Sequence, residues 1–299
     1  METRILGRTK MEVSVLGFGG AEIGFESASL ETVDRLLGAA LDAGLNVVDT
    51  GECYANSEEL IGRAASHRRE EYFLFSKCGH TGSDFGLEDW QPEMLEKSID
   101  RSLKRLKTDR LDLMQLHSCD AQTLKNGGVI PVLQAARDAG KVRFIGYSGD
   151  AQDAKYAVEC GAFDTLQTSL NIAEQEPIEL TLPLAREKNM GVICKRPIAN
   201  VAFSYKTFPE PEYPRTYWQR LQELNYPFAN RSLDDIVSIA LRWTLGAPGV
   251  GVAIVGTKNP QRWAKNAAAL NAGALPQDEW DAIHARWNEI KKDDWTGQI

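Results

Sequence analysis

The chain has 299 residues, 43% of them apolar and 25% charged, enough for one large unit or two ordinary ones. A net charge of −8 argues against a general basic face for nucleic acid, while leaving room for a local cationic pocket that takes a phosphorylated small molecule. No apolar run approaches the ~20 residues of a membrane span, and Met1 to Gly7 lacks the basic-then-apolar layout of a secretory signal, so no membrane partner and a cytoplasmic setting are expected.

In chain order, Arg4 to Leu6 and Val13 to Val15 alternate as a half-buried ribbon around a turn at Gly7 to Lys10, which predicts a hairpin over about residues 3–15. Leu16 to Gly20 reads as a short apolar strand. Its Gly17-x-Gly19 pair invites a dinucleotide-fold reading, but the third glycine of that fingerprint would fall at Glu22, so the match is set aside. Strand and helix then alternate. Leu30, Val33, Leu36, Leu37, Ala40 and Leu41 recur at helical spacing up to Gly44. Asn46 to Asp49 reads as a strand, with Asn56 or Ser57 capping the helix that follows. Further strands are expected at 72–77, 111–117, 142–148, 164–168, 190–195 and 251–255. Helices are expected from Pro92 through Leu106 and over 129–139, 151–160, 177–188, 232–245, 260–270 and 276–291. A long loop over about residues 196–231 interrupts this rhythm.

Eight βα units with strands apolar on both faces predict an α/β protein, a closed (β/α)8 TIM barrel. The hairpin and a C-terminal helix at about 276–291 are additions to it, and no Gly-, Ser- or Pro-rich linker divides 1–299, so a single domain is expected. An open Rossmann-like sheet is the alternative, and the missing phosphate fingerprint counts against it.

Active sites of such barrels lie at the C-terminal strand ends. Asp49, Lys77 and His117 end three consecutive strands, and Tyr54 lies in the loop after the first of them. Each alone has an ordinary reading: a loop cap, a packing aromatic, a surface charge, a satisfied core histidine. Together they make a proton-transfer site. A free phenol, with a pKa near ~10, donates poorly at neutral pH. An ammonium beside it stabilises the phenolate, and a carboxylate behind the ammonium keeps it charged and in place. Tyr54 then serves as a general acid, and His117 orients or polarises a carbonyl oxygen. Cys53, Cys78, Cys119 and Cys194 adjoin these residues, but their spacing matches no zinc pattern and no C-x-x-C pair occurs, so no metal and reduced thiols are expected.

The run Val48-Asp49-Thr50, Cys53-Tyr54 and Ser57 to Gly62, with Ser76-Lys77 and Leu113 to His117, resembles the aldo-keto reductases and completes their Asp-Tyr-Lys-His tetrad. Gly17 to Gly20 and Gly146 to Ser148 match as well, so the resemblance covers nearly the whole chain. It implies reduction of an aldehyde or ketone by a nicotinamide cofactor, or the reverse oxidation, with Tyr54 protonating the oxygen, Lys77 and Asp49 tuning Tyr54, and His117 placing a small-molecule carbonyl or alcohol. It also leaves open a sugar or polyol dehydrogenase, and a nucleotide-sensing protein like the potassium-channel β subunits.

On the cofactor side the resemblance implies that Ser148 and Gln167 hold the nicotinamide carboxamide and that Gly19 and Gly20 also bind the cofactor. Two positions depart from the family: Gly149 replaces its Asn, and Lys195, followed by Arg196 and Pro197, replaces its stacking aromatic. After the last barrel strand, Gly256, Thr257, Lys258, Arg262 and Lys265 form a basic run at a helix start, which points to an adenosine 2′-phosphate and so to NADPH/NADP+, with Asn266 matching the adenine contact. Trp90, Tyr205, Phe208 and Trp218 are the candidate substrate wall, the last three within a loop dense in aromatics.

Overall fold

A computed structural model describes residues 1–298. Strands β1 (Thr3–Ile5) and β2 (Glu12–Ser14) pair antiparallel as the expected hairpin. Strands β3 (Leu16–Gly19), β4 (Val47–Asp49), β5 (Phe73–Cys78), β6 (Leu111–His117), β7 (Val142–Ser148), β8 (Thr165–Ser169), β9 (Gly191–Lys195) and β10 (Val250–Gly256) close in that order into a parallel barrel. Around it the helices turn their apolar stripes inward: Val33, Leu36, Leu37, Ala40 and Leu41 of the helix Leu30–Asp42 are all buried, and Ser29 caps its start by accepting from Thr32 N.

Every second side chain of a strand points into the barrel, and the two ends differ in what those inward positions carry. Val47, Phe75, Leu113, Ile193, Val252 and Ile254 form one apolar cluster with Leu6, Met11 and Val13 of the hairpin, which plugs that end. Arg4 fastens the hairpin by donating to Leu245 O at 2.7 Å and Val250 O at 3.0 Å. Two residues further along, at the same inward phase, stand Asp49, Lys77, Gln115 and Lys195. Register sets them at one level, pairing Gly19 with Asp49, Lys77 with Gln115, His117 with Ser148, Ser148 with Gln167 and Ser169 with Lys195.

Several local expectations are corrected. The loop 196–231 contains a 3-10 segment, Ala199–Ser204, and an α-helix, Arg215–Leu224. The helix expected over 177–188 is two short ones, Glu176–Leu180 and Leu182–Glu187; Pro183 has no N–H for a carbonyl one turn back. Short helices Ala21–Phe25 and Ala121–Lys125 were not anticipated. Asn56 precedes the helix Ser57–Ala65 without a side-chain cap, and the Ser57 hydroxyl instead donates to Gly20 O at 2.7 Å.

Candidate active site

Strand β4 ends in Asp49 and β5 delivers Lys77 beside it, both fully enclosed at 4% and 1% exposure. Lys77 Nζ donates to Asp49 Oδ2 at 2.5 Å and to Thr50 O at 2.7 Å, and lies 4.9 Å from the centre of the Tyr54 ring. His117, at the end of β6, meets Tyr54 edge-on with ring centres 5.6 Å apart. The structure therefore brings all four sequence-predicted residues together.

Residues beyond the tetrad hold this group in place: Ser148 and Gln167, expected on the cofactor side, and Gln115, Glu52 and Glu58, which the sequence reading passed over. Asp49 Oδ1 accepts from Gln167 Nε2 at 2.9 Å and from Gln115 Nε2 at 3.3 Å, while the Ser148 hydroxyl donates to Gln167 Oε1 at 3.0 Å. Gln115 was findable: it is two residues before His117 and so shares its face of the strand. Glu52 pins the turn that carries Tyr54. Its backbone N–H donates to Lys77 O at 3.2 Å, its Oε1 accepts from Gly79 N at 3.1 Å, and its Oε2 accepts from Arg101 at 3.0 Å. Glu58 in turn accepts from the Ser76 hydroxyl at 2.7 Å, tying the next helix to β5.

Burial governs the electrostatics. It pushes the Tyr54 phenol up to about 12; Lys77 pulls the other way, and Asp49 adds to the rise. The neighbouring ammonium does oppose ionisation's cost, as anticipated, but the net direction is upward. Burial alone would lower Lys77, yet the Asp49 carboxylate beside it prevails and holds the ammonium above its ordinary value. His117 is held well below the usual imidazole range by burial and then by Lys77, Lys195, His80 and Arg196. At neutral pH the site thus presents a protonated phenol, an ammonium and a neutral imidazole.

A second charge cluster occupies the rim formed by β7, β8 and β9. Lys195 Nζ lies 2.9 Å from Asp150 Oδ2, and Asp150 also accepts from Thr168 Oγ1 at 2.8 Å and Ser169 N at 2.6 Å. Arg196 donates to Ser169 Oγ at 2.8 Å and to Tyr213 Oη at 3.2 Å, and also reaches Gln298 O. Pro197 O accepts from the buried Thr244 hydroxyl at 3.2 Å. Where the family carries an aromatic and an Asn, this rim therefore has a lysine held by an aspartate and a bare backbone. A Cβ at Gly149 would lie 2.6 Å from Tyr147 Oη, so Tyr147 fills that space.

The residues expected to hold a dinucleotide are mixed in their present roles. Gly19 and Gly20 are buried, and a Cβ at Gly20 would come 2.6 Å from Ser57 Oγ, so packing alone excludes a side chain there. Gly256 pairs with Gly19 across β10 and β3. Beyond it Thr257 Oγ1 accepts from Asn259 N at 3.1 Å, and Asn259 Oδ1 accepts from Gln261 N at 3.0 Å, so this helix start is capped from within the chain. Arg262 and Lys265 both sit on Asp234, at 2.9 and 2.8 Å, and Lys258 on Glu26 at 2.7 Å. Asn266 is 1% exposed, and neither its amide nitrogen nor its oxygen has a hydrogen-bond partner among the described residues. A buried amide with both ends unpaired is costly unless a ligand completes it, which is what a base edge would do. The donor set here fits a dinucleotide.

Of the predicted substrate wall, Trp90 alone is linked to the tetrad. Its ring lies 5.1 Å from His80, whose ring lies 5.2 Å from His117. Trp90 has φ 67°, an unusual backbone for a bulky residue, and packs over Gly79, where a Cβ would clash with the indole at 2.1 Å. Phe208 and Trp218 pack on one another, and Trp218 Nε1 donates to Tyr205 O at 2.9 Å, but none of these three has a ring contact with a tetrad residue. Phe25, an exposed ring 5.6 Å from Tyr54, stands closer to the chemistry. Among the described residues no group of His, Cys, Asp or Glu is arranged to hold a metal ion, and no helix is long and apolar enough to cross a membrane.

The L-galactose dehydrogenase of Arabidopsis thaliana is 26% identical over all of this chain and 98% of its own length. An aldo-keto reductase of Schizosaccharomyces pombe whose name specifies NADP(+) is 29% identical over 86% of this chain and 84% of its own. The NADH-specific methylglyoxal reductase of Escherichia coli is 26% identical over 91% and 94%. A holo-form aldo-keto reductase structure from Bacillus halodurans superposes with a TM-score of 0.82 over 99% of each chain at 24% identity, which supports the fold. Residues 15–288 match the Aldo/keto reductase family, and with that match added to the barrel the chain belongs to this family of oxidoreductases.

Proposed function

We propose that this protein reduces an aldehyde or ketone with NADPH, Tyr54 giving the proton, Lys77 and Asp49 holding the charge beside it, and His117 orienting the carbonyl oxygen. The observation that carries this reading is the enclosed Lys77–Asp49 contact at 2.5 Å with the Tyr54 ring over the ammonium. When bound, the dinucleotide supplies the hydride. Reduction creates an alkoxide about as basic as hydroxide, whose conjugate acid, water, has a pKa of about 15.7. A phenol at about 12 is a weaker acid than a free one, yet it still releases its proton to such an oxygen downhill, because the alkoxide is the stronger base. The reverse oxidation needs the phenolate, and that shift works against it.

The sign of the pH dependence follows. Reduction needs Tyr54 protonated, true below about 12, and His117 neutral, true from well below its ordinary value upward. The reductive rate is expected to be level from about pH 7 to about pH 9, whereas alcohol oxidation should climb close to tenfold per unit. Initial-rate profiles in the two directions check this, and a reductive rate falling with an apparent pKa near neutrality would contradict it.

Arg262 and Lys265, both now on Asp234, supply the positive charge for a 2′-phosphate, with Asn266 available to the base. The expected result is a clear preference for NADPH, and a loss of about 10- to 100-fold in its kcat/KM on Arg262→Ala, the scale of one charged hydrogen bond. Oxidation of each reduced dinucleotide against a panel of aldehydes, ketones and sugars tests the reading. No turnover on any carbonyl would overturn the activity, and equal efficiency with NADH would overturn the cofactor preference.

A further inference from the structure

The imidazole of His117 has two nitrogens, and only one is committed. Nδ1 lies 3.3 Å from the sulfur of Cys53, while Nε2 has no hydrogen-bond partner among the described residues. The ring meets both Tyr54 and His80 edge-on, with centres 5.6 and 5.2 Å away, and these contacts restrain it against turning. Cys53 is equally restrained. It stands between Glu52, which is bound to Lys77 O, Gly79 N and Arg101, and Tyr54, whose N–H donates to Gly51 O at 3.0 Å.

We propose that Cys53 is a positioning residue: its thiol donates to His117 Nδ1 and so fixes the imidazole in the tautomer with hydrogen on Nε2, the nitrogen that meets a substrate oxygen. This rests on the carbonyl-reductase reading for its catalytic consequence, but the tautomer itself is a property of the protein alone. Both partners are neutral at pH 7. Burial pushes the thiol up to about 11, with Glu52 adding to the rise and Lys77 opposing it, and the imidazole sits well below its ordinary value. The thiol therefore keeps its hydrogen in either tautomer, and the contact is either S–H donating to Nδ1, with the ring hydrogen on Nε2, or Nδ1–H donating to sulfur, with Nε2 bare. An imidazole nitrogen is a good acceptor and thioether or thiol sulfur a poor one, so S–H to Nδ1 is the favoured arrangement. Nε2 then carries its hydrogen outward, and a neutral imidazole N–H can donate to a carbonyl oxygen without first becoming charged. In the other tautomer Nε2 would turn a lone pair toward that oxygen and repel it. The cations Lys77, Lys195 and Arg196 around the ring disfavour the imidazolium, so the doubly protonated form offers no escape from this choice.

The test is nitrogen-15 NMR of the imidazoles at pH 7 in the full-length protein, with His117 assigned by difference from His117→Asn, alongside steady-state reduction kinetics. Wild type is expected to show His117 Nδ1 unprotonated and Nε2 protonated. Cys53→Ala should give averaged, mixed-tautomer signals and a kcat/KM about tenfold lower, the loss of one ordinary hydrogen bond. Cys53→Ser, whose hydroxyl donates in the same direction, should restore the wild-type signals and bring the rate back to within about twofold, at the cost of no more than one weak contact. A protonated Nδ1 in wild type, or Cys53→Ala unchanged in both signals and rate, would overturn the proposal. Carbonyl turnover with a protonated Nδ1 would sink this inference alone, whereas the expected tautomer in a protein inactive on every carbonyl would sink the reductase reading alone.

Discussion

Replacing Lys77 with methionine is expected to cost the fold about 3–5 kcal/mol, the usual loss when one partner of a buried ion pair is removed. The side chain is 1% exposed and its ammonium is the charged partner of Asp49 Oδ2 at 2.5 Å as well as the donor to Thr50 O at 2.7 Å. Methionine fills nearly the same volume, so the loss comes from charge and not from a cavity. Asp49 would keep only the neutral amides of Gln167 and Gln115, and Thr50 O would lose a donor. Adding Asp49→Asn should return part of the stability, because two neutral groups bury more cheaply than one unpaired carboxylate. Urea unfolding of wild type, the single and the double variant measures this. A Lys77→Met protein within about 1 kcal/mol of wild type would mean that the pair is solvated in solution, on the scale of an exposed bridge.

The strand ends that carry the candidate site were legible because a buried parallel strand has no reason to finish in a charge. Val47-Val48-Asp49, Phe73 to Lys77 and Leu111 to His117 each break an apolar run at the same inward phase, and register then does the rest. The helices with clean apolar spacing and a cap, such as Leu30–Asp42 and Leu233–Gly246, were equally readable. The helix Arg215–Leu224 was hidden by the prolines at 209, 211 and 214 before it and by its aromatic content, although Tyr217, Arg220 and Leu224 are buried at helical spacing. What the sequence concealed are partnerships between distant segments. Nothing local says that Asp150 holds Lys195, or that Asp234 takes both Arg262 and Lys265. Likewise Glu52 looks like one more acidic loop residue until Gly79 and Arg101 close on it. Loop aromatics were the weakest signal, since density in a loop does not say which rings reach the tetrad; Phe25 and His80 lie against Tyr54 and His117, while Phe208 and Trp218 pack on each other.

Tyr54→Phe removes one hydroxyl and is expected to leave the fold intact, because the ring keeps its contacts with Phe25 and His117. What disappears is the phenol beside the Lys77 ammonium, and with it, on the proposed reading, the proton for the developing alkoxide. Loss of a positioned general acid typically slows a reaction about 10²- to 10⁴-fold. His117 does not replace it, since a neutral imidazole held well below its usual range is a donor of hydrogen bonds and not of protons at this pH. Single-turnover reduction of one aldehyde by NADPH, in wild type and Tyr54→Phe at matched dinucleotide occupancy, isolates the chemical step from binding. A fall of about 10²-fold or more at unchanged NADPH affinity is the predicted result; equal single-turnover rates in the two proteins would contradict the role given to Tyr54.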